Sequence, residues 1–146
     1  MDIRSAGVWV TAAELRVAAT GPRPPEEVWD RYTRPAAWPT WAPHLREVDH
    51  PHETVRPGTT GRVTGVGGLV AVFHVDAVDE EARRWTWRAR SGPVRLAFEH
   101  GVDAATPESG HPGGSTAWIL ARGPGPLVLG YAPLARWALG RLVADD

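Results

Sequence analysis

Residues 26–45 read EEVWDRYTRPAAWPTWAPHL, and this stretch divides a helical opening from the extended chain on either side of it. Pro25 suits a first helical position, where its missing N–H costs nothing. Glu26 and Glu27 put negative charge at the positive end of the helix dipole. Val28, Trp29 and Tyr32 then form one apolar stripe of a short amphipathic helix. Pro35 ends that helix, because a residue before proline is pushed out of the α region. Over residues 35–43, three prolines with Trp38 and Trp41 allow only one or two broken helical turns, with both indoles aimed the same way.

Outward from this stretch the period changes to two. Residues 14–20 read as a first strand, with Leu15, Val17 and Ala19 on one face. Residues 45–54 and 59–66 read as strands, and Gly67-Gly68 as a tight hairpin. In 69–79 the wholly apolar face Leu69, Ala71, Phe73, Val75, Ala77 is the inner one, so His74 and Asp76 point outward. In 83–90, Trp85, Trp87 and Ala89 oppose Arg84, Thr86, Arg88 and Arg90. In 94–102, Val94, Leu96, Phe98, His100 and Val102 share the inner face. A polar loop over 104–115 leads to a last strand, 116–122. After Gly123-Pro124-Gly125-Pro126, Leu127, Tyr131, Leu134, Ala138 and Leu142 recur at helical spacing with Trp137 beside them. This predicts a C-terminal helix, kinked or restarted at Pro133. Residues 1–12 read as an arm, with Trp9 packing on the body, and 13–146 as one domain.

Composition narrows the chemistry. At 146 residues the chain suits one domain, and 42% hydrophobic with 23% charged residues excludes wholesale disorder. A net charge of −1 gives no electrostatic footprint for nucleic acid. No apolar run approaches the roughly 18 residues of a membrane span. The start MDIRSAG lacks a charged-then-apolar leader, so a cytoplasmic location is expected. Cysteine is absent, which removes disulfides and thiol nucleophiles; lysine is absent too, which removes Schiff-base chemistry. His50-Pro51-His52 with Asp49 and Glu53 has the composition of a metal site, but proline breaks its geometry and no further ligand follows at a recognised spacing. No metal or cofactor is expected. Gly65–Gly68 has no following helix or lysine to make a phosphate loop, and no G-x-S-x-G elbow is present.

A strand followed by P-x-E-x-V-W-D (24–30) and W-P-x-W-x-P (38–43) resembles the START-like, or helix-grip, superfamily (SRPBCC). The resemblance is closest to its polyketide cyclase/dehydrase-like branch. VDAVDEEARRWTWR (75–88), the strand ending in His100, Gly114-Ser115-Thr116 and GPGPL (123–127) extend it over about residues 14–143. Pro133 departs from it, since relatives carry an uninterrupted helix there. The resemblance implies an α+β fold: a curved antiparallel sheet of about seven strands, two short helices after strand one, and a long C-terminal helix gripped around an internal apolar cavity. It implies a hydrophobic small molecule as the partner, with a homodimer left open. Two functions follow from it. One is a polyketide cyclase or dehydratase promoting aldol-type ring closure or dehydration; the other is a non-catalytic carrier or sensor.

An empty apolar cavity of roughly 300 Å³ would cost about 7 kcal/mol at about 24 cal/mol per Å³, so it is either occupied or closed by bulky side chains. Eight tryptophans could close it. On the expected inner faces, Trp38, Trp41, Phe73, Trp85, Trp87, Phe98, Trp118 and Leu134 are the candidate ligand walls. His100, which coincides with a histidine common in the branch, is the candidate proton-moving group. Arg62 and Tyr131 are the candidates to stabilise a developing enolate. Arg122 and Thr116 are further polar candidates.

Overall fold

The computed structural model describes residues 12–145; residues 1–11 of the expected arm, Trp9 among them, lie outside these, and residue 12 already belongs to the first strand. Strand β1 (Ala12–Gly21) leads into helix α1 (Pro25–Thr33), a single 3-10 turn (Pro35–Ala37) and the one-turn helix α2 (Trp38–Trp41). Strands β2 (Leu45–Asp49), β3 (Thr60–Gly65), β4 (Val70–Asp79), β5 (Arg84–Ser91), β6 (Val94–Ala104) and β7 (Ser115–Pro124) follow, and helix α3 (Gly125–Val143) ends the chain. All strands pair antiparallel in one curved sheet, ordered β1-β7-β6-β5-β4-β3-β2. Strand β1, first in sequence, closes the sheet beside β7, and α3 packs across these two strands.

Local chemistry explains the boundaries. Helix α1 starts with Pro25 after an extended Pro24, carries Glu26 and Glu27 in its first turn, and stops at an extended Arg34 before Pro35. Its predicted stripe of Val28, Trp29 and Tyr32 is buried. Strand β2 is shorter than the expected 45–54. The His50 ring reaches the His52 carbonyl and the Thr59 hydroxyl, and Val55 donates its N–H to the Thr33 carbonyl, which takes the chain out of the sheet. Gly67 and Gly68 adopt positive φ of 86° and 82°, which the β3–β4 turn requires.

Three expectations are corrected. Between Val75 and Ala77 the β4–β5 register slips by one residue, so a bulge at Asp76 turns Ala77 outward and Val78 inward. Helix α3 is one continuous helix through Pro133. Proline lacks the N–H that would bond the Leu129 carbonyl, but both residues lie on the exposed side, where water can satisfy that oxygen. The buried stripe of α3 is also rotated from the expected one. Val128, Ala135, Ala138, Leu139, Leu142 and Val143 are buried, whereas Leu127, Leu134 and Trp137 are exposed. Ala135 and Ala138 let the helix axis come close to β1 and β7, and the larger residues are left outside.

Candidate functional site

The concave face of the sheet has two ends of different character. Towards α1 and α2 it is filled with aromatic rings. Trp38 from α2 lies stacked on Trp85, 5.7 Å between centroids, and it also meets Phe73 and Trp87. Trp85 stacks on His100 at 4.6 Å, and Trp87 stacks on Phe98 at 5.1 Å. Gly61 opposite Phe73 makes this packing possible, because a Cβ there would sit 2.3 Å from the Phe73 ring. Trp41 packs edge-on against Tyr32 and donates its indole N–H to the Arg31 carbonyl.

His100 lies within this end, 4% exposed. Its Nδ1 is 2.9 Å from the Tyr32 hydroxyl, and that hydroxyl is 2.8 Å from the Trp118 carbonyl. A carbonyl only accepts, so the Tyr32 O–H donates to it and Nδ1–H must donate to the Tyr32 oxygen. Nε2 then holds the lone pair that accepts the Trp87 indole N–H. The protein thus fixes one neutral tautomer and uses both ring nitrogens. Burial pushes the imidazole pKa down to about 3 and raises that of Tyr32 well above its ordinary value. Trp85 Nε1 is the one buried donor of this cluster without a partner.

The other end is half-open. Ala71, Trp87, Ala89 and Leu96 face inward yet stay partly exposed, with Leu45 and Tyr131 also partly buried against the same core. Together Ala71, Trp87, Ala89 and Leu96 form an apolar strip along the inner faces of β4, β5 and β6. Here His44, in the loop between α2 and β2, meets Tyr131 of α3 edge-on at 5.9 Å, and Tyr131 in turn meets Phe98 at 5.8 Å. His44 Nδ1 is buried with no hydrogen-bond partner, and the Tyr131 hydroxyl makes no hydrogen bond among the described residues. Burial lowers the His44 pKa and raises that of Tyr131 to about 12, so both are neutral near pH 7. Sequence reading missed His44. Its only signal was a histidine between Pro43 and the apolar Leu45, directly after the tryptophan-rich turn.

Five candidates lie away from this interior. Arg62 sits opposite Val72, and Arg122 opposite Ala97, in rows whose side chains point to the convex face; both arginines are exposed, and Arg122 pairs with Glu14. This register corrects their candidacy for the interior. Trp118 is also convex: its ring covers Gly101, its indole N–H reaches Asp103, and Arg16 and Arg84 lie over it at 5.3 and 5.0 Å. Its neighbour Ile119 takes the inward position beside His100. Thr116 shares the outward parity and bonds the Thr20 hydroxyl. Leu134 is 39% exposed on the outer side of α3, so it does not line the interior. The convex face instead carries a shallow groove of about 510 Å³, floored by the backbone at Phe73, Ala89, Leu96 and Gly123 and walled by Arg88, Arg90, Arg95 and Arg122. Among the described residues, no three histidines and carboxylates gather as a metal site.

The family model described as "Polyketide cyclase / dehydrase and lipid transport" matches residues 12–146. The chain belongs to this family. Its fold is that of the START-like helix-grip superfamily. The solved structure titled "Crystal structure of Ara h 8.0201" superposes with a TM-score of 0.69 at 17% identity, covering 90% of this chain and 95% of that one. At that identity the likeness speaks for the fold alone. No curated protein matches the sequence. Among the described residues, no helix is long and apolar enough to cross a membrane.

Proposed function

We propose that this family member binds a hydrophobic small molecule on the half-open end of its concave face. The observation that carries this reading is the strip of inward-facing, half-buried apolar residues Ala71, Ala89, Leu96 and Trp87, which no other part of the described chain covers fully. Burying such surface gains about 25 cal/mol per Å², so a flat apolar molecule laid there is stabilised without opening the aromatic packing beneath it. Trp87, Phe98 and Tyr131 form the walls, and Trp38, Trp41, Phe73 and Trp85 support them from behind.

The reading is tested by saturation-transfer NMR with naphthalene. Transfer to the probe is expected in the wild type, and loss of transfer in Ala89→Trp, whose indole would fill the strip. Equal transfer in a folded Ala89→Trp protein would move the site elsewhere.

A second reading, catalysis of ring closure or dehydration, is favoured by the family's description and by the unbonded Tyr131 hydroxyl at the rim. His100 could move a proton only after Nε2 is released by Trp87, and Arg62 would need a partner approaching from the convex side. On this reading Tyr131→Phe lowers turnover of a poly-carbonyl substrate at least tenfold while binding of the product persists. Unchanged turnover would remove Tyr131 from the reaction.

A further inference from the structure

Buried polar groups in folded proteins are nearly always bonded, and an unmade bond costs about 1–3 kcal/mol. His44 Nδ1 breaks this rule at the edge of the apolar strip, and beside it, on an element far apart in sequence, the Tyr131 hydroxyl makes no hydrogen bond among the described residues. We propose that His44 and Tyr131 together anchor the polar end of the ligand, and that this end is an uncharged oxygen group, a hydroxyl or an enolisable carbonyl on a flat apolar body. The inference rests on the binding reading above and adds to it which residues read the ligand's polar atom and what that atom is.

The donor and acceptor inventory selects the class. Tyr131, kept protonated by burial, offers an O–H with no acceptor of its own. His44, kept neutral, offers one N–H and one lone pair, and nothing in the protein fixes which nitrogen holds which, in contrast to His100. A ligand hydroxyl can accept the Tyr131 proton and donate its own to the imidazole, so both orphan groups are satisfied by one atom. A carboxylate could accept from both, but neither group brings a positive charge to offset its loss of hydration. A bare hydrocarbon would leave both unsatisfied. Phe98, in contact with Tyr131, holds the phenol ring against the strip, so the polar atom is met at the rim and the apolar body lies inward.

Three probes of one shape separate the cases: naphthalene, 2-naphthol and 2-naphthoate, each titrated at pH 7 against the whole chain. In the wild type 2-naphthol is expected to bind about tenfold tighter than naphthalene, the ratio given by roughly one net hydrogen bond. 2-Naphthoate is expected to bind no tighter than naphthalene. His44→Phe and Tyr131→Phe should each lower 2-naphthol affinity about five- to tenfold and leave naphthalene within about twofold. If His44→Phe fails to fold by near-ultraviolet circular dichroism, His44→Leu provides the same truncation with less bulk. Equal wild-type affinities for naphthalene and 2-naphthol would overturn the anchor while leaving the apolar site standing. Tightest binding of 2-naphthoate would overturn the uncharged class. If none of the three probes binds, the apolar site falls and the anchor with it.

Discussion

The two interior histidines stand at the two ends of one concave face and differ in almost every respect that matters. His100 is sealed beneath stacked indoles with both nitrogens bonded and its tautomer fixed. His44 lies at the rim with a buried nitrogen bonded to nothing, facing a tyrosine whose hydroxyl makes no hydrogen bond among the described residues. A polar group that the fold satisfies contributes to stability. One that the fold leaves unsatisfied costs stability, and a ligand can repay that cost. The family resemblance drew attention to His100, whereas the hydrogen bonding draws it to His44.

Breaking the closed end should have the largest effect. Tyr32→Phe removes the hydroxyl that links His100 Nδ1–H to the Trp118 carbonyl and leaves the buried Nδ1–H without a partner. It is expected to lower unfolding free energy by about 2–4 kcal/mol in urea titrations, with naphthalene affinity nearly unchanged in the folded protein. Next comes Gly101→Ala on the convex side, where the new Cβ would lie 2.2 Å from the Trp118 ring. Displacing that indole from Arg16 and Arg84 should cost about 1–3 kcal/mol, again without a change in probe affinity. A parallel drop in affinity would mean that the convex side communicates with the strip.

The third test uses pH. The His100 pKa falls from 6.5 to about 3 on folding, so between these values the unfolded chain takes up a proton that the folded one refuses. Stability from this group is complete above about pH 6.5 and is lost as pH falls towards 3, at about 1.4 kcal/mol per pH unit. His100→Phe should flatten that part of the stability profile. If the two proteins show the same slope across this range, the imidazole is not held neutral. Smallest is the effect of His44→Phe, expected within about 1 kcal/mol of wild type and of either sign, because an unsatisfied polar group is exchanged for an apolar one. A loss above about 3 kcal/mol would show that His44 has a structural partner.

Much of this contrast was legible in the sequence, and its limits have physical causes. Strict alternation placed Trp85, Trp87, Phe98 and His100 on the inner face, and the proline-bounded stripe placed Val28, Trp29 and Tyr32 in the core. Alternation could not assign the face of Arg62, beside Gly61 in a glycine-loosened strand, or of Trp118, in a run from Ala117 to Ala121 that reads apolar on both sides; pairing of Arg62 with Val72 and of Trp118 with Gly101 decides it. The stripe on α3 was misassigned at Leu134 because hydrophobicity outranked size, whereas the sheet selects the small Ala135 and Ala138 for close approach. The bulge at Asp76 leaves no mark in a pattern that reads apolar on both sides. His44 was invisible because its importance lies in a missing bond, which only the three-dimensional surroundings reveal.

The contrast between the two ends is tested most directly by the imidazole nitrogens themselves. Protein labelled with ¹⁵N-histidine can be observed at pH 7 with and without 2-naphthol. His100 should show one neutral Nδ1–H tautomer that the probe does not alter, while the His44 nitrogens should move from an unfixed tautomer average towards a hydrogen-bonded form. A shift at His100 Nε2 with His44 unmoved would contradict this account and return the ligand to the closed, tryptophan-packed end.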